Sequence, residues 1–202
     1  MVVKFFDINS ILIEKSDLLS FSYYSKVYFD KSNIFSKIET YEDNKLIFLE
    51  LFTNDDTKIN EILNEYPSST TFTIHLIKEI KKSYLSCESY EYNIISEIKS
   101  GNRIETYKND IIYPIYSCLL DNNNKRVPTK YYYDLKNNVE YEFDYDENGK
   151  FKKLTVLDPT FHYDTDDYSV YPEQIGVGKN YFDFSFENFE YYKEENPIIP
   201  VK

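Results

Sequence analysis

Asp144-x-Asp146-x-Asn148-Gly149 has the spacing with which an EF-hand calcium loop opens: oxygen side chains at positions one, three and five, and glycine at six for the sharp turn. The rest of such a loop is missing. Position twelve, where a bidentate glutamate closes the coordination sphere, is Thr155, and positions seven and nine are Lys150 and Lys152. Positive charge there repels a cation, so the segment reads as a hairpin turn. His162 followed by Asp164-Thr-Asp166-Asp167 joins imidazole to carboxylate, the donors of a transition-metal site. Ligand sets also draw on distant segments, and the one other histidine is His75. The acidic run therefore reads as a solvated or partner-facing loop. His75 lies in Phe72-Thr-Ile-His-Leu76, on the face of Thr73, and reads as a surface or partly satisfied strand histidine. A nucleophile needs a base beside it. Cys87 and His75 are the only Cys-His pair near in sequence, and their spacing does not bring them together. Ile175-Gly-Val-Gly178 is half of a phosphate-binding loop without its third glycine or a following helix. Carboxylate pairs of the glycosidase kind arise by chance among 35 acids. The sequence thus points to no catalytic residue, no metal ligand and no cofactor.

The placement of charge is more informative. The chain of 202 residues has a net charge of −12. Between Tyr131 and Asn196 lie 16 Asp/Glu and 6 Lys, with 11 Tyr and 7 Phe; the remainder holds 19 acids and 17 Lys/Arg. Such a charge repels nucleic acid, so no nucleic-acid partner is expected. There is no Trp, no Ala, one Met, and only Arg103 and Arg126 as arginines. An A/T-rich coding sequence explains that bias but not the gathering of acid at one end. The N-terminus reaches Asp7 before an apolar core forms, and apolar runs stop at about four residues, so neither a secretory signal nor a membrane span is expected. Cys87 and Cys118 are too few for a disulfide framework, in keeping with a cytoplasmic protein.

The elements that must position these residues read mainly as strands. Leu19 to Tyr23 and Lys26 to Tyr28 alternate. Residues 34–41 and 46–52 form a hairpin turning at Glu42-Asp-Asn44. Thr53 or Asn54 caps a helix whose stripe is Ile59, Ile62, Leu63 and Tyr66, ended by Pro67. A strand runs from Thr70 to Leu76. Ile77, Ile80 and Tyr84 then fit a helical period, and residues 89–100 read as a second helix stopped by Gly101. In the acidic third, Val139, Tyr141, Phe143 and Tyr145 alternate with Glu140, Glu142 and Asp144. They turn at Asp146-Glu-Asn-Gly149 and return through 151–157, with Lys152 and Lys153 near the outgoing carboxylates. Phe182, Phe184 and Phe186 alternate as a last strand. The expectation is an α+β fold, mainly antiparallel β-sheet with one or two packed helices. It forms one domain over 1–202, with a possible subdivision near 101–125.

Tyrosine offers contact area at small entropic cost, and surrounding carboxylates steer a cationic partner. Size, acidity, this element pattern and the lack of a catalytic set resemble the broad class of bacterial polymorphic-toxin immunity proteins. The resemblance implies a cytoplasmic antitoxin that binds one cognate, basic toxin, with no membrane partner and with oligomeric state open. Charge and aromatic clustering place its contact patch at Asp164, Asp166, Asp167, Tyr168 and Tyr171, with Asp183, Glu187 and Glu190 near it. Two other classes remain: a hydrolase with a dispersed acid pair, and a structural or accessory protein of a secretion system or phage.

Overall fold

A computed structural model describes residues 1–7, 11–57, 59–66, 71–93, 98–108, 111–120, 126–137, 139–157, 169–176, 178 and 184–200. The chain is mainly β-sheet. It divides into two compact units, Met1–Tyr113 and Pro114–Lys202.

The N-terminal unit contains β1 (Val2–Phe6), β2 (Leu12–Ile13), β3 (Tyr23–Phe29), β4 (Phe35–Glu42), β5 (Lys45–Thr53), α1 (Ile59–Leu63), β6 (Thr71–Lys81), β7 (Tyr84–Asn93) and β8 (Ile98–Lys108). Their order across the sheet is β8-β7-β6-β5-β4-β3-β1-β2. The expected β4–β5 hairpin is present. Asp43 and Asn44 both adopt positive φ, +48° and +62°, as a tight turn between right-twisted strands requires. β5 and β6 are parallel, and α1 lies in the crossover between them. Its Ile59 and Leu63 are buried against Leu49, Leu51, Phe72 and Ile74, with Ile62 and Tyr66 alongside. The opposite face packs Val27, Phe29, Phe35, Phe52, Leu85 and Tyr107.

Four sequence expectations give way here. The strand expected from Leu19 begins only at Tyr23, because Lys15–Ser20 forms a 3-10 helix closed by the bond from Phe21 N–H to Leu18 O. The helix is five residues long and begins at Ile59, whose N–H bonds to Asp56 O, so neither Thr53 nor Asn54 caps it. The stretch 89–100 is not a helix where described: β7 runs to Asn93 and β8 starts at Ile98. β6 continues through the segment with helical spacing, because a bulge between Ile77 and Glu79 slips the alternation by one residue. The fold is therefore β-rich, with less helix than an α+β architecture carries.

The C-terminal unit is an antiparallel sheet in chain order: β9 (Pro114–Leu120), β10 (Arg126–Asp134), β11 (Val139–Tyr145), β12 (Phe151–Leu157) and β13 (Ser169–Val170). β11 and β12 form the expected hairpin, with Asp144 opposite Lys153. Asp146 Oδ1 accepts the N–H groups of Asn148 and Lys150, each at 2.9 Å, and so builds the turn. Residues 184–200 cover one face of this sheet. Phe184 and Phe186 sit in or beside a 3-10 turn rather than a strand, and they pack with Phe189 and Tyr192 on Phe143, Leu154 and Val156.

Gly149 joins that cover to the hairpin. Its φ is +75°, its O accepts Glu195 N–H at 3.0 Å, and a Cβ here would lie 3.0 Å from Glu195 Oε2. Gly149→Ala is expected to destabilise the protein by about 1–2 kcal/mol through both effects. Chemical denaturation checks this, and an unchanged midpoint would contradict the packing described.

Candidate functional site

Buried carboxylates come first, because the chain has only two arginines to neutralise them. Tyrosine hydroxyls share that task. Glu39 accepts from Tyr28, Tyr41 and Tyr66 at 2.7, 2.9 and 3.1 Å; Glu105 accepts from Tyr107 at 3.1 Å; Glu195 accepts from Tyr116 at 2.7 Å. Burial pushes the phenols of Tyr28, Tyr41 and Tyr116 well above their ordinary range, and the adjacent carboxylates push them further. They stay protonated and act as donors.

The densest polar cluster surrounds His75, which is completely buried rather than at the surface. Strand register builds it: Phe52, His75, Ser89 and Arg103 are successive cross-strand partners, and Cys87 faces Glu105. His75 Nδ1 lies 2.8 Å from Ser89 Oγ and 3.3 Å from Glu105 Oε2, and Nε2 lies 3.6 Å from Glu50 Oε1. Phe52 stacks on the ring at 4.2 Å between centroids. Arg103 Nε donates to Glu105 at 2.9 Å. Burial lowers the His75 pKa, but Glu105 and Glu50 outweigh it and raise the value overall. Burial likewise pushes Glu105 up, yet His75 and Arg103 hold it down at about 2. Two carboxylates thus meet one guanidinium and an imidazole whose protonated form they favour. A serine, a histidine and a glutamate in contact imitate a hydrolytic triad, but this His75 has no exposed surface. The Cys87 thiol is fully buried and its pKa is raised, by burial and by Glu105, which keeps it protonated and inert. The cluster serves the fold.

A surface site lies on the C-terminal unit. Period-two alternation along β11 sends Tyr141, Phe143 and Tyr145 to one face and Glu140, Glu142 and Asp144 to the other. The acidic face aligns Glu140 with Tyr133 and Glu142 with Tyr131 on β10, all four half-buried, and these two rings stack at 6.2 Å. Asp144 accepts from Thr129 at 2.9 Å and lies 3.6 Å from Lys153. Lys153 thus takes the place expected of it. Glu140 and Glu142 have no hydrogen-bond or ion-pair partner among the described residues. Burial and Glu142 raise the Glu140 carboxyl to about 7; burial and Asp144 raise Glu142 as well, against the opposing pull of Lys153.

Of the patch expected from sequence, Asp164, Asp166, Asp167, Tyr168 and Asp183 lie outside the described residues, as does His162. Tyr171, Glu187 and Glu190 are exposed. Glu190 pairs with Lys193 at 3.2 Å, and no hydrogen bond or ion pair joins the three to one another. The acidic face of β11 lies outside the contact patch expected from sequence, although its alternation is plain; of Lys152 and Lys153, only Lys153 forms an ion pair there among the described residues. Among the described residues no cluster of side chains is arranged to hold a metal ion, and no helix is long and apolar enough to cross a membrane. Comparison with known protein families, characterised proteins and solved structures found no match.

Proposed function

We propose that the protein is a binding protein that captures a basic protein partner through the acidic, tyrosine-bearing face of β10 and β11. In this reading it is an intracellular antitoxin that covers the cationic cleft of one cognate toxin. The observation that carries it is the pair Glu140 and Glu142: half-buried, in no hydrogen bond or ion pair among the described residues, with Lys153 opposing only part of the raised pKa of Glu142, and flanked by Tyr131 and Tyr133. Half-buried carboxylates without partners cost folding stability. A partner's lysines or arginines would relieve that cost. Carboxylates steer the encounter, and the phenol rings supply contact area. Asp164, Asp166, Asp167, Tyr168, Tyr171, Asp183, Glu187 and Glu190 extend the acidic, aromatic character of the same unit and remain part of the proposal.

The test is affinity purification from the native cell with the wild-type chain and with Glu140→Lys/Glu142→Lys. The wild type should retain one basic protein at equal stoichiometry. The variant should weaken that complex by about 100-fold or more, mainly through slower association. Affinity should also rise as pH increases through about 7, where Glu140 ionises. A complex indifferent to charge reversal, to pH and to salt would refute the reading.

One observation favours a hydrolase instead: a carboxyl held near 7 beside others is the pattern of a general acid and its partner. That reading requires turnover abolished by Glu140→Gln with the same substrate still bound.

A further inference from the structure

The N-terminal unit carries a groove of about 480 Å³, lined by Phe5, Leu18, Tyr24 and Tyr41 together with Lys15 and Lys26. Among the described residues no carboxylate lines it, in a chain whose net charge is −12. Its volume and its mix of apolar surface with a few charged groups are those of a small-molecule site.

The aromatic part of the lining is held in place. Tyr24 and Tyr41 are cross-strand partners on β3 and β4, with rings stacked at 5.1 Å and 10°. Tyr41 is fixed from behind by its hydrogen bond to the buried Glu39, at 2.9 Å. Glu39 is also shared by two lysines, Lys37 at 2.7 Å and Lys26 at 3.8 Å. One carboxylate cannot neutralise both, so positive charge is left over at Lys26. Lys15 has no ion-pair partner among the described residues and is exposed. The groove therefore combines a fixed apolar surface with two ammonium groups, and what it presents is complementary to one kind of molecule.

We propose that this groove binds a small organic anion with a flat apolar body, its rings against Tyr24, Tyr41 and Phe5 and its acidic group between Lys15 and Lys26. The site is independent of the acidic face and of any protein partner. Because the tyrosine stack is locked by Glu39 before a ligand arrives, little ordering has to occur on binding.

The test is a fluorescence titration of the full chain at low salt with 1-anilinonaphthalene-8-sulfonate. A neutral comparison uses N-phenyl-1-naphthylamine, the same ring system without the sulfonate. One saturable site is expected, with a Kd on the order of tens of micromolar, and at least about tenfold weaker binding of the neutral compound. Lys15→Glu should weaken the sulfonate by about tenfold or more, and Lys26→Gln should reproduce a loss from an independent side chain. Lys136→Glu, on an exposed turn of the other unit, should leave binding unchanged. Lys15 is exposed, so an unaltered unfolding midpoint in its variant separates loss of the site from loss of the fold. Non-saturable uptake, equal affinity for the neutral compound, or a Lys15→Glu variant that binds as the wild type would each overturn the proposal.

Discussion

His75→Leu should lower the unfolding free energy by about 3–5 kcal/mol, among the largest effects of any single substitution in this chain. The leucine fills the space of the ring, so the loss is electrostatic. It leaves Glu105 and Glu50 facing an apolar group where an imidazole stood, with Arg103 as the remaining cation beside Glu105. Glu105→Gln in the same background should recover part of the loss, because it removes one of the stranded charges. Thermal denaturation at pH 6 checks the single variant, with a midpoint lowered by roughly 10 °C or more; a change near zero would mean that His75 is neutral in the folded protein.

The pH dependence follows from the same cluster. His75 has its folded pKa above the ordinary 6.5, so its stabilisation is complete below 6.5 and is lost as pH rises through the folded value. Glu105 runs the other way: its folded pKa is about 2 against 4.5, so its contribution is complete above 4.5 and is lost as pH falls toward 2. Stability from this cluster is therefore greatest between about 4.5 and 6.5. The His75→Leu variant should lack the decline on the alkaline side.

Lys130→Ala should also be severe, at about 2–4 kcal/mol, and should act on the C-terminal cover. Lys130 is completely buried, with Nζ donating to Tyr191 O at 2.6 Å and Glu194 O at 2.7 Å and lying 3.7 Å from the centre of the Tyr191 ring. Alanine would leave both carbonyls without this donor and a cavity under residues 191–194. Limited proteolysis within 184–200 should accelerate along with the loss of stability. If the segment stays as resistant as in the wild type, Lys130 is not its anchor. Burial pulls the ammonium down to about 7, against the opposing pull of Glu195 and Glu194. The unfolded lysine keeps its proton to about 10.5, so this position makes stability rise with pH between about 7 and 10.5. Lys130→Met, which keeps much of the packing, should lose that slope.

Much of this was legible in the residues. The two hairpins, β4–β5 and β11–β12, follow from alternation and from turn residues suited to positive φ, and the structure reproduces both. The sorting of Glu140, Glu142 and Asp144 from Tyr141, Phe143 and Tyr145 also follows from period two alone. Local rules failed where a bulge shifted the period, at Ile77 and Glu79, and where residues 89–93 and 98–100, read with a helical spacing, belonged to strands. Helix and strand periods coincide over such short runs, and only pairing with a neighbouring strand decides between them.

By itself the sequence determined a β-rich chain, poor in arginine, with its acid gathered in the C-terminal third, because composition and alternation are local properties. Only the tertiary structure decided that His75 lies between Glu50 and Glu105, that tyrosine hydroxyls hold Glu39, Glu105 and Glu195, and that two lysines meet a tyrosine stack in one groove. Those arrangements depend on register between strands, and register is set by packing across the sheet, which no stretch of sequence contains.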